Sequence, residues 1–241
     1  MLSDMELLQE YASSNAEQAF ATLVSRHIGM VYSVALRHVG NVHQAQEITQ
    51  AVFIILARKA RGLRPGTVLS GWLFQTARLT AANFLRTDLR RMRREQEAYM
   101  QSTLQENEAE VWKQIAPLLD KAIAELGEAD RNAIVLRYLE GKDLKEVCAA
   151  LGTSEAAAKK RISRAMEKLR ASFTQRGIAL PVTVLSGTIL ANSAQAVPGG
   201  LAAAIVAAIK GTAVTTSTLT LVKGTLKIMA WAKLKIAVGV G

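Results

Sequence analysis

The chain has 241 residues, with 30 Lys and Arg against 20 Asp and Glu and a formal net charge of +10. That length is too great for one small helical domain and suits two, and the positive balance, with a pI near 9.9, points to an anionic partner. A single cysteine, Cys148, excludes an internal disulfide framework and a thiolate metal site; on the apolar side of a predicted helix it reads as a small core residue in a reducing compartment.

In chain order, the opening stretch Met1–Tyr11 is acidic and amphipathic, unlike a signal peptide, and Ser3 with Glu6 makes a capping box. Asn15 with Gln18 predicts the cap of a helix whose stripe is Phe20, Leu23, Val24, Ile28, Val31 and Val34, stopped by Gly40. Asn41 with Gln44 opens the next helix, striped by Ala45, Ile48, Val52, Ile55 and Leu56. Gly62, Pro65 and Gly66 predict a loop, after which Ser70 caps a long helix through Trp72, Phe74, Ala77, Phe84 and Leu85. Arg86, Arg90, Arg93 and Arg94 fall within about 100° on that helix, with Asn83 close to the arc. A run of arginines is often only a solvated face; beside an aromatic and a Gly/Pro loop it also suits a groove for single-stranded nucleic acid.

Residues 101–130 are acid-rich, and a flexible linker is predicted near 95–110. The second module opens with a helix holding Trp112, Ile115, Leu119 and Ile123. Leu126–Gly141 follows as a helix between two glycine stops. DLKEVCAALGTSEAAAKKRISRAMEKLR then reads as helix, turn and helix: Gly152 ends the first and Ser154 caps the second. Ala158, Ile162, Ala165, Met166 and Leu169 share one side of the second helix. Lys160, Arg161, Arg164 and Lys168 share the other, within about 100°. A solvated amphipathic helix would ordinarily mix signs, and this arc carries no carboxylate. The pattern is that of a helix-turn-helix presenting its second helix to the major groove.

The extension 174–241 has no acidic residue, and Ile178–Ile209 has no charge at all, yet prolines, glycines, Asn192 and Gln195 interrupt it before it reaches the length of a bilayer span. Lys223, Lys227, Lys233 and Lys235 alternate with Leu, Ile, Met and Trp231, a pattern able to lie on an anionic membrane. Three readings stand for it: an extension cut before a membrane helix is complete, a low-complexity disordered appendage, and a segment that folds back on the preceding domains and inhibits them. Catalysis finds no support. His38 and His43 lie five apart, off the spacing that stacks two ligands on one helix face, and no Gly-rich phosphate loop occurs. No cofactor and no metal site are expected.

Two stretches resemble a known family. LGEADRNAIVLRYLEGKDLKEVCAALG and AAAKKRISRAMEKLR resemble the helices, turn and recognition helix of region 4 of bacterial sigma factors, with cations recurring at Lys159, Arg161 and Arg164. AFATLVSRHIGMVYSVALRHVGNVHQAQEITQAVFIILARK is similar to sigma region 2, which docks on RNA polymerase, and SGWLFQTARLTAANFLRTDLRR to the part of it that melts and reads the downstream promoter element. Both regions, in order and with only a short linker between, resemble the extracytoplasmic-function (ECF) subfamily of the sigma-70 family over about the first 173 residues.

The resemblance implies an all-α protein of two small helical domains, a region 2 bundle at 1–94 and a region 4 helix-turn-helix at 111–173. An acidic linker at 95–110 would join them, and the apolar extension 174–241 would follow. It implies a cytoplasmic transcription initiation factor, not an enzyme, which brings core RNA polymerase to −35 and −10 promoter elements and aids melting. Ser154, Lys159, Lys160, Arg161, Arg164 and Lys168 would meet the upstream element. Trp72, Arg78, Asn83, Arg86, Arg90 and Arg93 would meet the downstream one, and Glu47 and Gln50 the polymerase, although Ala51 stands where the family often has a carboxylate. An anti-sigma factor, and a membrane reached through the tail, complete the partners considered. The other reading is a helix-turn-helix regulator that binds DNA without polymerase.

Overall fold

A computed structural model describes residues 2–95, 109–211 and 214–238, and among these every regular element is helical. The order is α1 (Asp4–Ser14), α2 (Glu17–Val39), α3 (Val42–Lys59), a 3-10 turn (Ala60–Gly62), α4 (Leu69–Glu95), α5 (Ala109–Glu125), α6 (Glu128–Ile134) running into a π turn (Val135–Leu139), α7 (Leu144–Leu151), α8 (Glu155–Thr174), α9 (Val182–Asn192), α10 (Leu201–Ile209) and α11 (Thr216–Val238). Two compact units result. One gathers α1–α3, α4 from Thr76 onward, α10 and α11; the other gathers Gly66–Gln75 and α5–α9. The predicted linker falls almost wholly outside the described residues.

The helix ends follow local chemistry. Ser3 and Glu6 form both bonds of a capping box, Asn41 accepts from the Gln44 amide, and Gly40 closes α2 in the left-handed conformation at φ 63°. Asp143 and Glu146 form a second capping box at the head of α7, Gly152 closes that helix at φ 59°, and Ser154 caps α8. Two expected caps are replaced. Asn15 does not cap α2, which starts at Ala16 with no side-chain cap; it ends α1 in the left-handed region, φ 57°, which a short amide side chain tolerates. Ser70 lies inside α4 and donates to the Glu140 carboxylate at 2.7 Å.

In the first unit α2 and α3 pack side by side, with α1 across α2. Leu23, Val24, Val31 and Val34 of α2 and Ile48, Val52, Ile55 and Leu56 of α3 are fully buried, as the stripes require. His27 is also fully buried, and its Nε2 lies 2.9 Å from the Asp4 carboxylate, tying α1 to α2. By length and mean hydropathy (1.3), α2 alone among the described residues could cross a bilayer; 67% of that window is buried, so it is the bundle's core helix.

The extension is not a separate appendage. Its first helix, α9, packs on α5, α8 and the π turn of the second unit, burying Leu185 and Ile189. Its later helices, α10 and α11, pack on α2 and α3 of the first unit.

In the second unit Ile115, Leu119, Ile123, Ala133–Leu136, Val147, Ala165, Met166, Leu169 and Phe173 form the core. The Asp143 capping box fixes where α7 starts. Asp143→Ala should cost about 1 kcal/mol of stability, the ordinary worth of an N-cap, read as a lowered urea midpoint with unchanged m.

Candidate nucleic-acid and polymerase interfaces

The helix-turn-helix is α7, the Gly152 turn and α8. Ala158, Ala165, Met166 and Leu169 are buried on one side of α8, and its cations stand on the other. Those cations are not equivalent. Among the described residues the Lys160 and Arg161 side chains make no ion pair or hydrogen bond; Lys160 is exposed and Arg161 half-buried. Lys159 pairs with Glu155 at 2.8 Å across one exposed helical turn, and that carboxylate raises the lysine above its ordinary pKa. Arg164 and Lys168 both reach Asp130 of α6, at 2.9 and 2.7 Å. Thus α8 itself supplies no carboxylate to the arc, but the neighbouring helix does.

Asp130 was missed by sequence reasoning, although a signal for it exists. At helical spacing it shares a stripe with Ala133 and Ile134, both buried. Its side chain is only 6% exposed, whereas Arg164 and Lys168 remain 57% and 51% exposed. Burial works to raise the Asp130 carboxyl; the hydrogen bonds and charges of Lys168 and Arg164 outweigh it and hold the group below the usual carboxylate range. One carboxylate therefore ties two cations of α8 to α6. The guanidinium and ammonium edges not used by Asp130 still face solvent.

Of the α4 residues, Trp72 is half-buried, Arg78 is half-buried and Arg86 is exposed. Asn83 donates to the hydroxyl of Thr225 on α11 at 3.5 Å. The side chains of Arg90 and Arg93 lie outside the described part of the structure. The loop and first turns at Gly66–Gln75 pack against α6 in the second unit. A Cβ at Gly71 would come within 1.8 Å of the Asn132 amide oxygen, so a larger residue there would have to push that side chain aside. Glu47 and Gln50, the expected polymerase contacts, lie one helical turn apart on α3. Ser217 of α11 donates to Glu47, and Thr218 of α11 donates to Gln50 at 3.5 Å. Among the described residues no cluster of three His, Cys, Asp or Glu side chains could hold a metal ion.

A cation-faced helix-turn-helix in one unit and an arginine-bearing helix in the other have the composition expected of nucleic-acid-binding modules. The family models agree in detail: sigma-70 region 2 matches residues 23–91, and sigma-70 region 4 matches residues 117–169. The chain is 33% identical over 162 residues to the RNA polymerase sigma factor CarQ of Myxococcus xanthus, covering 64% of this chain and 89% of CarQ. It is 32% identical over 155 residues to the ECF RNA polymerase sigma factor SigE of Mycolicibacterium smegmatis, covering 61% of this chain and 59% of SigE. It is 27% identical over 213 residues to the probable RNA polymerase sigma factor RfaY of Xanthomonas campestris, covering 81% of this chain and 52% of RfaY. The chain thus spans a little over half the length of two of these relatives and most of the third. It belongs to the sigma-70 family, in the ECF subfamily.

The Asp130 pairing carries a pH signature. A carboxyl depressed in the folded state stabilises the fold fully above its unfolded value, about pH 4, and that contribution is lost as pH falls through the folded value. Asp130→Asn should therefore lower the melting temperature of the second unit at pH 7. The stability lost should be about 1–2 kcal/mol, because both cationic partners are largely solvated. The gap from wild type should narrow as both proteins are acidified below pH 4. An equal gap at pH 7 and pH 3 would remove the charge from the account.

Proposed function

We propose that this chain is a transcription initiation factor that binds core RNA polymerase, directs it to promoters through upstream and downstream elements, and stabilises the melted strand. The single observation that carries the reading is the pair of family regions in order, region 2 at residues 23–91 and region 4 at residues 117–169. In this reading α8 enters the major groove of the upstream element with Lys160 and Arg161 leading. Ser154 and the α8 N-terminus lie next to a phosphate. Lys159, Arg164 and Lys168 add positive field, and Arg164 and Lys168 are held in place by Asp130. On α4, Arg78, Asn83, Arg86, Arg90 and Arg93 track the displaced strand and Trp72 supports the base-capturing loop. The polymerase docks on the α3 face that bears Glu47 and Gln50.

The factor has no chemistry of its own in this scheme, and acts by binding the melted promoter better than the duplex. It works in the cytoplasm. An anti-sigma partner follows from the family alone. Attachment to a membrane surface is supported by the exposed Lys223 and Lys227 and by Trp231, which is 62% exposed on α11.

Run-off transcription with purified core polymerase tests the class. Accurate starts that require this chain support the reading; tight duplex binding with no polymerase association and no initiation would leave only a polymerase-independent helix-turn-helix regulator. A salt titration of DNA binding resolves the α8 contacts. Lys160→Ala or Arg161→Ala should cost about 1–3 kcal/mol on the matched duplex alone if the side chain reads a base. If it meets a phosphate, the salt slope should fall by about 0.9 on matched and scrambled duplexes alike. No change in either measure would take both residues out of the interface.

A further inference from the structure

We infer that the α3 docking face is an interaction surface already occupied by the chain's own C-terminal helices, so that α10–α11 and RNA polymerase compete for it. The inference rests on the proposed polymerase docking and adds an internal competitor to it.

The docking face lies on α3 (Val42–Lys59). Along this helix Ala45, Ile48, Val52, Ile55 and Leu56 form the stripe buried against the bundle. At 100° per residue, Glu47, Gln50, Ala51 and Ile54 form a second stripe, turned roughly away from the first. Here Ala51 is fully buried and Ile54 only 5% exposed. The helices that pack there are α10 and α11, both from the extension and both in the same unit as α3.

The contacts are polar as well as apolar. Ser217 and Thr218 at the head of α11 donate to Glu47 and Gln50, the two side chains expected to meet polymerase. Lys210, just past α10, pairs with Glu17 of α2 at 2.6 Å. A little over two turns into α11, a Cβ on Gly224 would come within 2.7 Å of the Asn83 amide nitrogen, and Thr225 accepts from that amide. Val222 lies on the same helix face, between Thr218 and Thr225, and is fully buried. The extension therefore engages Glu47, Gln50 and Asn83 at once. Charge suits the match: the extension has no carboxylate, and the surface it meets supplies Glu17 and Glu47. The outward side of α11 keeps Lys223, Lys227 and Trp231 in solvent, so the helix is laid down with its uncharged face inward.

Two opposite changes test the competition in the full chain. Glu17→Cys with Lys210→Cys, in a Cys148→Ser background, places two accessible thiols across the α2–α10 contact; a short bismaleimide then pins the extension in place. Val222→Asp puts a carboxylate into the buried side of α11 and releases it. Binding of core RNA polymerase is measured by fluorescence anisotropy. Apparent affinity scales with the fraction of chain whose face is open, so the linked protein should bind at least about tenfold more weakly than the same protein unlinked. Val222→Asp should bind more tightly than wild type. Equal binding by the linked and unlinked forms would overturn the inference while leaving the proposed function intact, because both would still bind polymerase. Failure of every form, Val222→Asp included, to bind polymerase would remove the proposed function and this inference with it.

Discussion

The structure depends on how α3 is covered. From Ala51 to Leu56 six consecutive residues are buried, and an α-helix that is apolar around its whole circumference is stable only when packed on every side. The α2–α3 pairing satisfies one stripe, with Leu23, Val24, Val31 and Val34 opposite Ile48, Val52, Ile55 and Leu56. The extension's α10 and α11 also pack on α3, and their polar contacts reach Glu47 and Gln50 on its second stripe. Each aliphatic side chain left exposed on α3 would forfeit on the order of 1.5–3 kcal/mol of burial. Covering the stripe with the same chain avoids that loss without a second protein.

The second unit is organised by a different constraint, a charge placed on a buried stripe. Asp130 can remain ionised there because two cations from α8 reach it. The two paired cations, Arg164 and Lys168, lie between Lys160 and Arg161 on the same arc, so the pairing ties the middle of that arc to α6.

How much of this was legible in the sequence follows the range of the interactions. Caps that bond three residues along the chain could be read: Ser3 with Glu6, Asn41 with Gln44, Gly152 and Ser154 all stand where their spacing put them. The stripes of α2, α3 and α8 were legible for the same reason, since helical periodicity needs no tertiary knowledge. Asn15 had two local uses, capping the next helix or ending the previous one, and the left-handed conformation won. Ser70 and Asp130 were misjudged or missed because their partners lie far along the chain, at Glu140, Arg164 and Lys168. The extension was least legible of all. Its helices are short or weakly patterned, and what orders α10 and α11 is a surface contributed by residues more than a hundred positions earlier, from Glu17 to Asn83. Fold-back was one of three readings of its composition, and only the packing on α2 and α3 separates it from the others.

Hydrogen exchange on the full chain, free and bound to core RNA polymerase, tests the central claim most directly. In the free protein the amides of α10 and of the first half of α11 should be protected together with α3. On binding polymerase α3 should stay protected while α10 and α11 become fast, because the cover has been exchanged for the partner. Protection of α10 and α11 that persists unchanged in the complex, or fast exchange of both helices in the free chain, would contradict the account.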